Sequence, residues 1–264
     1  MTPEEPSFGA NPSFFDLVRN LGVDPLGRAA AAGGEPLAPL PPHGTTVVAL
    51  QFAEGVIMAG DRRAVEGYAI ADSRMDKVFP ADEHSVVGIA GVAGQALDLV
   101  RLFQTELEHY EKVEGEALSL EGKANRLAQL IRSSLPMVMQ GLVVVPIYGG
   151  FDLRKGQGRI FRYDAIGGRY EEMDYNATGS GSRDAKASLK KRWRAGMARQ
   201  DGVEAAVESL LDASEADTAT GGPDPVRGIY PSVHIVTADG VEEVPADETR
   251  LAFEAVLARR EGSS

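Results

Sequence analysis

The spacing of apolar residues divides the chain into predicted strands and helices. Apolar, β-branched runs predict strands at residues 45–52, 55–60, 64–71, 76–79, 85–90, 142–149, 158–163, 169–175 and 232–238. Apolar side chains three or four residues apart predict four helices, with faces at Val100–Tyr110, Leu127–Val138, Val203–Leu211 and Leu251–Ala258, and a fifth helix is expected across 183–194. Strands and helices do not strictly alternate. The order therefore favours an α+β fold with antiparallel sheets and helices on their outer faces.

Residues 1–44 differ in composition from the rest of the chain. Eight of the 15 prolines fall in this segment. Proline at this density disfavours helices and sheet ladders, so the segment is predicted to be extended or disordered. A short amphipathic helix at 14–21, lying against a partner, is an alternative. We therefore divide the chain into a leader, residues 1–44, and a body, residues 45–264.

Composition excludes several classes of function. The chain has 39 acidic and 27 basic residues and a formal charge of −12, which disfavours binding to nucleic acid or to an anionic membrane. It has no cysteine, which excludes disulfides and thiol nucleophiles. No apolar run approaches the ~18 residues of a membrane span, and the first residues lack a secretory signal pattern. No phosphate-binding motif or helical histidine pair is present, so neither a cofactor nor a metal is predicted, and a cytoplasmic location is expected.

The junction between leader and body carries the most informative residues. Gly44 is followed by Thr45, the first residue of a predicted strand. A threonine hydroxyl is a weak nucleophile that needs a base, and its own α-amine, with a pKa of about 8, can serve once it is free. A proline-rich leader that ends in glycine before such a threonine has the form of a self-cleaving precursor. An ordinary strand that begins after a glycine has the same local sequence.

Three further residues bear on this choice. Asp61 follows the second predicted strand, where it is either a turn residue or a carboxylate beside the start of the first strand. Lys77 stands in a strand-like stretch, as either a solvated lysine or a buried one. Gly91 ends an apolar strand, either as a tight turn or as a bare backbone N–H that faces a ligand.

With these residues in place, the body resembles a bacterial 20S proteasome β-subunit of the actinobacterial type. Six segments match the family in order: GTTVVAL (44–50), AGDRRA (59–64), DKVF (76–79), GIAGVAG (88–94), ATGSGS (177–182) and DTATGG (217–222). The resemblance extends from Gly44 to about Arg260. It implies the four-layer αββα sandwich of N-terminal-nucleophile hydrolases, with two antiparallel sheets flanked by helices.

The resemblance also implies the chemical roles of the central residues. Thr45 matches the N-terminal threonine nucleophile, which self-cleavage between Gly44 and Thr45 exposes. Asp61 matches the carboxylate that pairs with the active-site lysine. Lys77 matches that lysine, whose charge would lower the pKa of the threonine hydroxyl and α-amine. Gly91 matches the residue whose backbone N–H forms the oxyanion hole.

Two further groups are implied by the same match. Ser180 and Asp217 match residues that hydrogen-bond around the threonine amine, and Thr220 stands where many members have serine, with its hydroxyl retained. Arg63 matches a structural arginine near the site. The side-chain pocket beside the nucleophile would have Lys77 at its base and be lined by Ala64, Met75, Ile89 and Ala93. Because this lining is apolar, we expect chymotrypsin-like cleavage after large apolar residues.

The implied partners are the other subunits of a proteasome core. The family stacks heptameric rings as α7β7β7α7, and an ATPase ring acts through the α-ring to deliver unfolded or tagged proteins. Two alternatives remain beside the threonine peptidase. One is a non-catalytic ring scaffold, and the other is the simpler two-ring ATP-dependent bacterial protease that uses the same nucleophile.

Overall fold

The computed structural model describes residues 44–66 and 69–262. The predicted leader before Gly44, with its alternative helix at 14–21, lies outside the described residues, so the boundary between leader and body stays a prediction. In chain order the elements are β1 (Thr46–Phe52), β2 (Gly55–Gly60), β3 (Ala64–Glu66), β4 (Ala69–Asp72), β5 (Val78–Asp82), β6 (Ser85–Gly91), α1 (Ala93–Glu114), α2 (Leu120–Ser133), α3 (Leu135–Val138), β7 (Val144–Asp152), β8 (Gln157–Tyr163), β9 (Arg169–Glu172), β10 (Tyr175–Gly179), α4 (Ser182–Arg192), α5 (Arg199–Ala216), β11 (Ser232–Thr237), β12 (Gly240–Glu243) and α6 (Ala246–Glu261).

Two five-stranded antiparallel sheets form the centre of the described body. The first has the strand order β10-β1-β2-β11-β12, and the second has the order β5-β6-β7-β8-β9. Among the described residues, strands β3 and β4 pair only with each other, as a separate hairpin. No helix among the described residues is both long and apolar enough to span a membrane.

Alternating side chains of each sheet face two different apolar layers. Val47 and Met58 of the first sheet meet Val86 and Ile147 of the second in the layer between the sheets. Neighbouring residues such as Leu50 face helices α4, α5 and α6 on the far side of the first sheet. Helices α1 and α2 cover the outer face of the second sheet in the same way. The period-two alternation of the strands produces these layers, and the predicted α+β sandwich is confirmed.

The strands predicted at 76–79 and 142–149 are shifted along the chain to β5 and β7, so Lys77 lies just before a strand rather than in one. Three further predicted elements differ in kind from the structure. The single strand predicted at 64–71 is the β3–β4 hairpin. The single strand predicted at 169–175 covers β9 and the first residue of β10, which are two strands in different sheets. The helix predicted from the apolar face at Leu127–Val138 ends at Ser133, and Pro136 lies in the separate short helix α3. Proline lacks the N–H that a continuing helix requires. Strand β12 was not predicted.

Antiparallel pairing brings the candidate residues to one end of the first sheet. Strand β1 lies between β10 and β2, with Thr46 opposite Gly179 and Val47 opposite Gly60. The chain leaves β2 at Asp61 and leaves β10 at Ser180. The start of β1 is therefore flanked by the ends of both neighbouring strands.

Candidate active site

Gly44 and Thr45 are buried immediately before β1. The Thr45 hydroxyl donates a hydrogen bond of 2.7 Å to the Gly44 carbonyl oxygen. The Thr45 carbonyl oxygen accepts a hydrogen bond of 2.9 Å from the Ser180 N–H. A Cβ on Gly44 would lie 2.1 Å from the Ala219 Cβ, so the close approach of this segment requires glycine. The predicted nucleophile thus lies directly against the peptide bond that the sequence predicts it to cleave.

A buried ion pair lies beside this peptide bond. The Lys77 Nζ is 2.7 Å from the Asp61 Oδ1, and the two side chains are 2% and 0% exposed. The ammonium also donates to the Arg63 carbonyl at 2.5 Å and to the Gly44 carbonyl at 3.4 Å. Burial lowers the pKa of Lys77 below its ordinary value of 10.5, while the Asp61 charge opposes the shift. Lys77 and the Thr45 hydroxyl therefore converge on the same carbonyl oxygen.

The Asp61 carboxylate is held by the backbone of three separate segments. Its Oδ1 accepts a hydrogen bond of 2.7 Å from the Thr46 N–H. Its Oδ2 accepts from the N–H groups of Arg63 at 3.0 Å and Gly221 at 2.8 Å. The Arg63 side chain donates to the Thr218 carbonyl at 3.0 Å, which ties the same loop to the end of β2. Every oxygen of this buried charge has a partner, as burial requires.

A second carboxylate organises two hydroxyl groups. Asp217 Oδ2 accepts hydrogen bonds from Ser180 Oγ at 2.5 Å and from Thr220 Oγ1 at 2.6 Å. Partial burial by itself raises the pKa of Asp217, but these hydroxyls, the Ala219 N–H and the Lys77 charge together outweigh it and lower the pKa below its ordinary value. The Asp217 carboxylate is therefore ionised at neutral pH and accepts hydrogen bonds only.

Gly91 borders a cleft next to these residues. It is the last residue of β6 and has a φ of +126°, and a Cβ there would lie 2.0 Å from the Val143 carbonyl oxygen. Only glycine adopts this conformation readily. Gly91, Gly179 and Ser180 all line a cleft of about 750 Å³. The residue matched to the oxyanion hole therefore faces the same open space as Ser180.

None of the four predicted pocket residues lines this cleft, although Ala90, Gly91 and Val92, which lie between Ile89 and Ala93, do. Ala64 begins β3 and Ala93 begins α1, and both are partly exposed, as is Met75. Ile89 is 2% exposed and lies in the core against α1 and α2. The pocket assignment therefore stays a prediction.

Sequence reasoning missed the residues that act through backbone groups. Thr46 and Gly221 supply N–H donors to Asp61, and Ala219 encloses Gly44. Thr46 and Ala219 stand inside matched motifs, so a signal was present, but a motif does not show which backbone groups meet. Among residues 44–66 and 69–262, no group of three or more His, Asp or Glu side chains could hold a metal ion.

Comparison with known proteins identifies the family. The model of the family described as "Proteasome subunit" matches residues 42–226, which include all the candidate residues above. The chain therefore belongs to the proteasome subunit family, whose members assemble with other subunits into a multi-subunit protease. Over 247 residues it is 52% identical to a protein of Acidimicrobium ferrooxidans described as "Proteasome subunit beta", and the match covers 94% of this chain and 89% of that relative. The resemblance to a bacterial proteasome β-subunit of the core particle is confirmed.

Proposed function

We propose that the chain is a catalytic β-subunit, a threonine peptidase that hydrolyses unfolded proteins in a closed chamber within the cytoplasm. The observation that carries the proposal is the convergence on one carbonyl: the Thr45 hydroxyl at 2.7 Å and the Lys77 ammonium at 3.4 Å both point to the Gly44 oxygen. A nucleophile and a cation placed on the same carbonyl are the elements of an acyl-transfer site.

Maturation begins with attack by the Thr45 Oγ on the Gly44 carbonyl carbon. A C–O bond forms, the Gly44–Thr45 C–N bond breaks, and the hydroxyl proton passes to the nitrogen, which becomes a free α-amine. Water then hydrolyses the resulting ester, which releases the leader with a Gly44 carboxylate and restores the Thr45 hydroxyl. The mature chain has 264 − 44 = 220 residues and begins with the sequence TTVVAL.

Peptide hydrolysis reuses the same groups on a substrate bond. The freed α-amine of Thr45 takes the hydroxyl proton as general base, since no histidine of the part of the chain that the structure describes contacts these residues. The Lys77 charge stabilises the deprotonated oxygen, and the Gly91 N–H stabilises the oxyanion of the tetrahedral intermediate. Ser180, Thr220 and the ionised Asp217 hold the amine and its proton in place. Each of these roles is part of the proposal.

The buried ion pair favours the catalytic role over a ring scaffold. Lys77 and Asp61 are almost fully buried, and such a pair is often replaceable by apolar residues at no loss of stability. A scaffold subunit gains nothing from a buried lysine directed at a peptide carbonyl. A peptidase needs that charge at this position.

The remaining features follow the family resemblance. We propose heptameric β-rings stacked between α-rings as α7β7β7α7, with an ATPase ring that delivers unfolded or tagged proteins. By the family resemblance, the apolar residues Ala64, Met75, Ile89 and Ala93 would line the side-chain pocket, and such a lining favours cleavage after large apolar side chains. No acidic residue is among them to pair with a basic side chain.

The deciding experiment compares Thr45→Ala with the wild-type chain, each mixed with its α-type partner. We expect the wild type to lose 44 residues by intact mass, to begin at Thr45 and to hydrolyse peptides. Thr45→Ala should assemble, keep its leader and be inactive, while Thr105→Ala on the exposed face of α1 should behave as wild type. An assembled wild type that keeps its leader and has no peptidase activity would establish the scaffold role instead.

A further inference from the structure

We propose that Thr46 is a positioning residue whose hydroxyl fixes the hydrogen-bond chain through Thr220 to Asp217. The inference rests on the proposed peptidase function and deepens it. Thr46 follows the nucleophile directly and is completely buried. Its side chain lies on the far side of β1 from Val47, towards α4 and the loop after α5.

The directions of the hydrogen bonds follow from the number of hydrogens. Thr220 Oγ1 donates its single hydrogen to the Asp217 carboxylate at 2.6 Å. The contact of 2.6 Å between the Thr46 and Thr220 hydroxyls must therefore use the hydrogen of Thr46. The Gly181 N–H in turn donates to Thr46 Oγ1 at 3.0 Å. The chain thus runs in one direction, from Gly181 through Thr46 and Thr220 to Asp217.

The packing around Gly181 leaves room only for this arrangement. A Cβ on Gly181 would lie 2.6 Å from Thr46 Oγ1 and 2.7 Å from Thr220 Oγ1. Real Cβ atoms do not approach other atoms this closely, so glycine permits the two hydroxyls to meet beside the backbone at the start of α4. The contact between the two threonine hydroxyls therefore also requires glycine at position 181.

Thr46 also links the two charged groups of the site. Its N–H donates to Asp61 Oδ1 at 2.7 Å, and its hydroxyl reaches Asp217 through Thr220. One residue therefore connects the Lys77–Asp61 pair to the hydroxyl cluster around the future amine. Without the Thr46 hydroxyl, the Thr220 oxygen loses its donor, while Thr220 still donates its own hydrogen to Asp217. Hydrogen bonds in such a chain strengthen one another, so the carboxylate is less well stabilised.

The test compares three single variants in the assembled particle. Thr46→Val removes the hydroxyl, keeps the side-chain shape and leaves the N–H bond to Asp61 in place. Thr46→Ser restores the hydroxyl without the methyl group. Thr249→Val is the matched control, because Thr249 is 1% exposed at the start of α6 and its hydroxyl faces the Pro245 carbonyl. The readouts are loss of the leader by intact mass, kcat and KM on a fluorogenic peptide, and the pH profile.

We expect Thr46→Val to lower kcat ~10-fold, the usual effect of losing one buried hydrogen bond, with KM unchanged. The acid limb of the profile, which in the proposed mechanism reports protonation of the Thr45 α-amine, should move to higher pH, because a less well compensated Asp217 charge favours the protonated amine. Thr46→Ser should restore both values, and Thr249→Val should change neither. Should Thr46→Val fail to fold, Thr46→Ala is measured against Thr46→Ser in the same way.

Two results would overturn the proposal. One is an unchanged kcat and acid limb in Thr46→Val. The other is an equal loss in Thr46→Val and Thr46→Ser, since the side-chain volume would then matter rather than the hydroxyl. The Thr46 variants are interpreted only if the wild type is active and Thr45→Ala is inactive. Failure of the peptidase proposal would therefore be recognised separately, from the wild type and Thr45→Ala alone.

Discussion

A methyl group added to Gly44 has no space, and this makes Gly44→Ala a sharp test of the proposed leader cleavage. The new Cβ would lie 2.1 Å from the Ala219 Cβ and 2.2 Å from the Ala219 carbonyl oxygen. Apolar carbons normally stay about 3.5 Å apart or more, so backbone must move. The displaced segment carries the carbonyl that the Thr45 hydroxyl contacts at 2.7 Å. Leader cleavage should therefore slow while the rest of the fold persists.

The expected magnitude follows from the cost of overpacking. Forcing one extra carbon into a filled site costs about 1–3 kcal/mol. At about 1.4 kcal/mol for each factor of ten in rate, leader cleavage should slow by about 5-fold to 140-fold. In the Gly44→Ala background, Ala219→Gly should restore the rate only in part. It removes the Cβ contact but leaves the Ala219 carbonyl oxygen in the way.

The assay follows intact mass over time after the precursor is mixed with its α-type partner. Gly262→Ala is the control, because its new Cβ would meet its nearest neighbour at 3.5 Å, an ordinary contact distance. Cleavage of Gly44→Ala at the wild-type rate would refute the steric reasoning. Full restoration by Ala219→Gly would show that the carbonyl oxygen is not an obstacle.

Three further predictions concern charge and specificity. Lys77→Ala should abolish peptidase activity by orders of magnitude yet still assemble, because Asp61 keeps three backbone N–H donors; near-normal turnover would exclude the assigned role. In a panel of fluorogenic peptides that differ only in the residue before the cleaved bond, Leu, Tyr and Phe should be hydrolysed well, Asp and Glu weakly, and Arg and Lys least; faster cleavage after Arg than after Leu would remove the pocket assignment. Arg159, whose side chain is 3% exposed, donates to Asp152 at 3.0 Å and to Glu171 at 2.6 Å. The Arg159 hydrogen bond is the largest influence on Glu171 and lowers the pKa of that carboxyl. The resulting stabilisation is present above the unfolded carboxyl pKa of about 4.3 and is lost as pH falls through the lower folded value. Arg159→Met should therefore lower the free energy of unfolding by about 3 kcal/mol at neutral pH. The difference in Tm between this variant and the wild type should become smaller in acid. A constant difference from pH 7 to 3 would contradict this account.

The parts of the fold that sequence predicted are those specified by local patterns. Strand β2 has its predicted bounds, and β1 differs by one residue, because each is a short apolar run between turn residues. The pattern failed at 64–71 and 169–175, where strands separated by two residues look like one strand. In those places the pairing decides where a strand ends: β3 and β4 pair with each other, whereas β9 pairs with β8 and β10 pairs with the distant strand β1.

The candidate site divides in the same way. Motifs identified Asp61 and Lys77, and the structure places their side chains 2.7 Å apart. The donors that hold Asp61 in place could not be predicted, since Gly221 approaches it from 160 residues away. Backbone N–H groups are present at nearly every position, so residue type carries no information about which of them meet.

The way Asp61 is held has a consequence for timing. Its carboxylate gathers N–H groups from the start of β1, from the end of β2 and from the loop at Gly221. No one of these segments alone provides the surroundings in which Asp61 and Lys77 can stay buried together. Under the proposed mechanism, a chain in which the loop at Gly221 does not yet contact Asp61 therefore has Thr45 but cannot activate it as a nucleophile. Under that mechanism, the peptidase becomes active only once folding is complete.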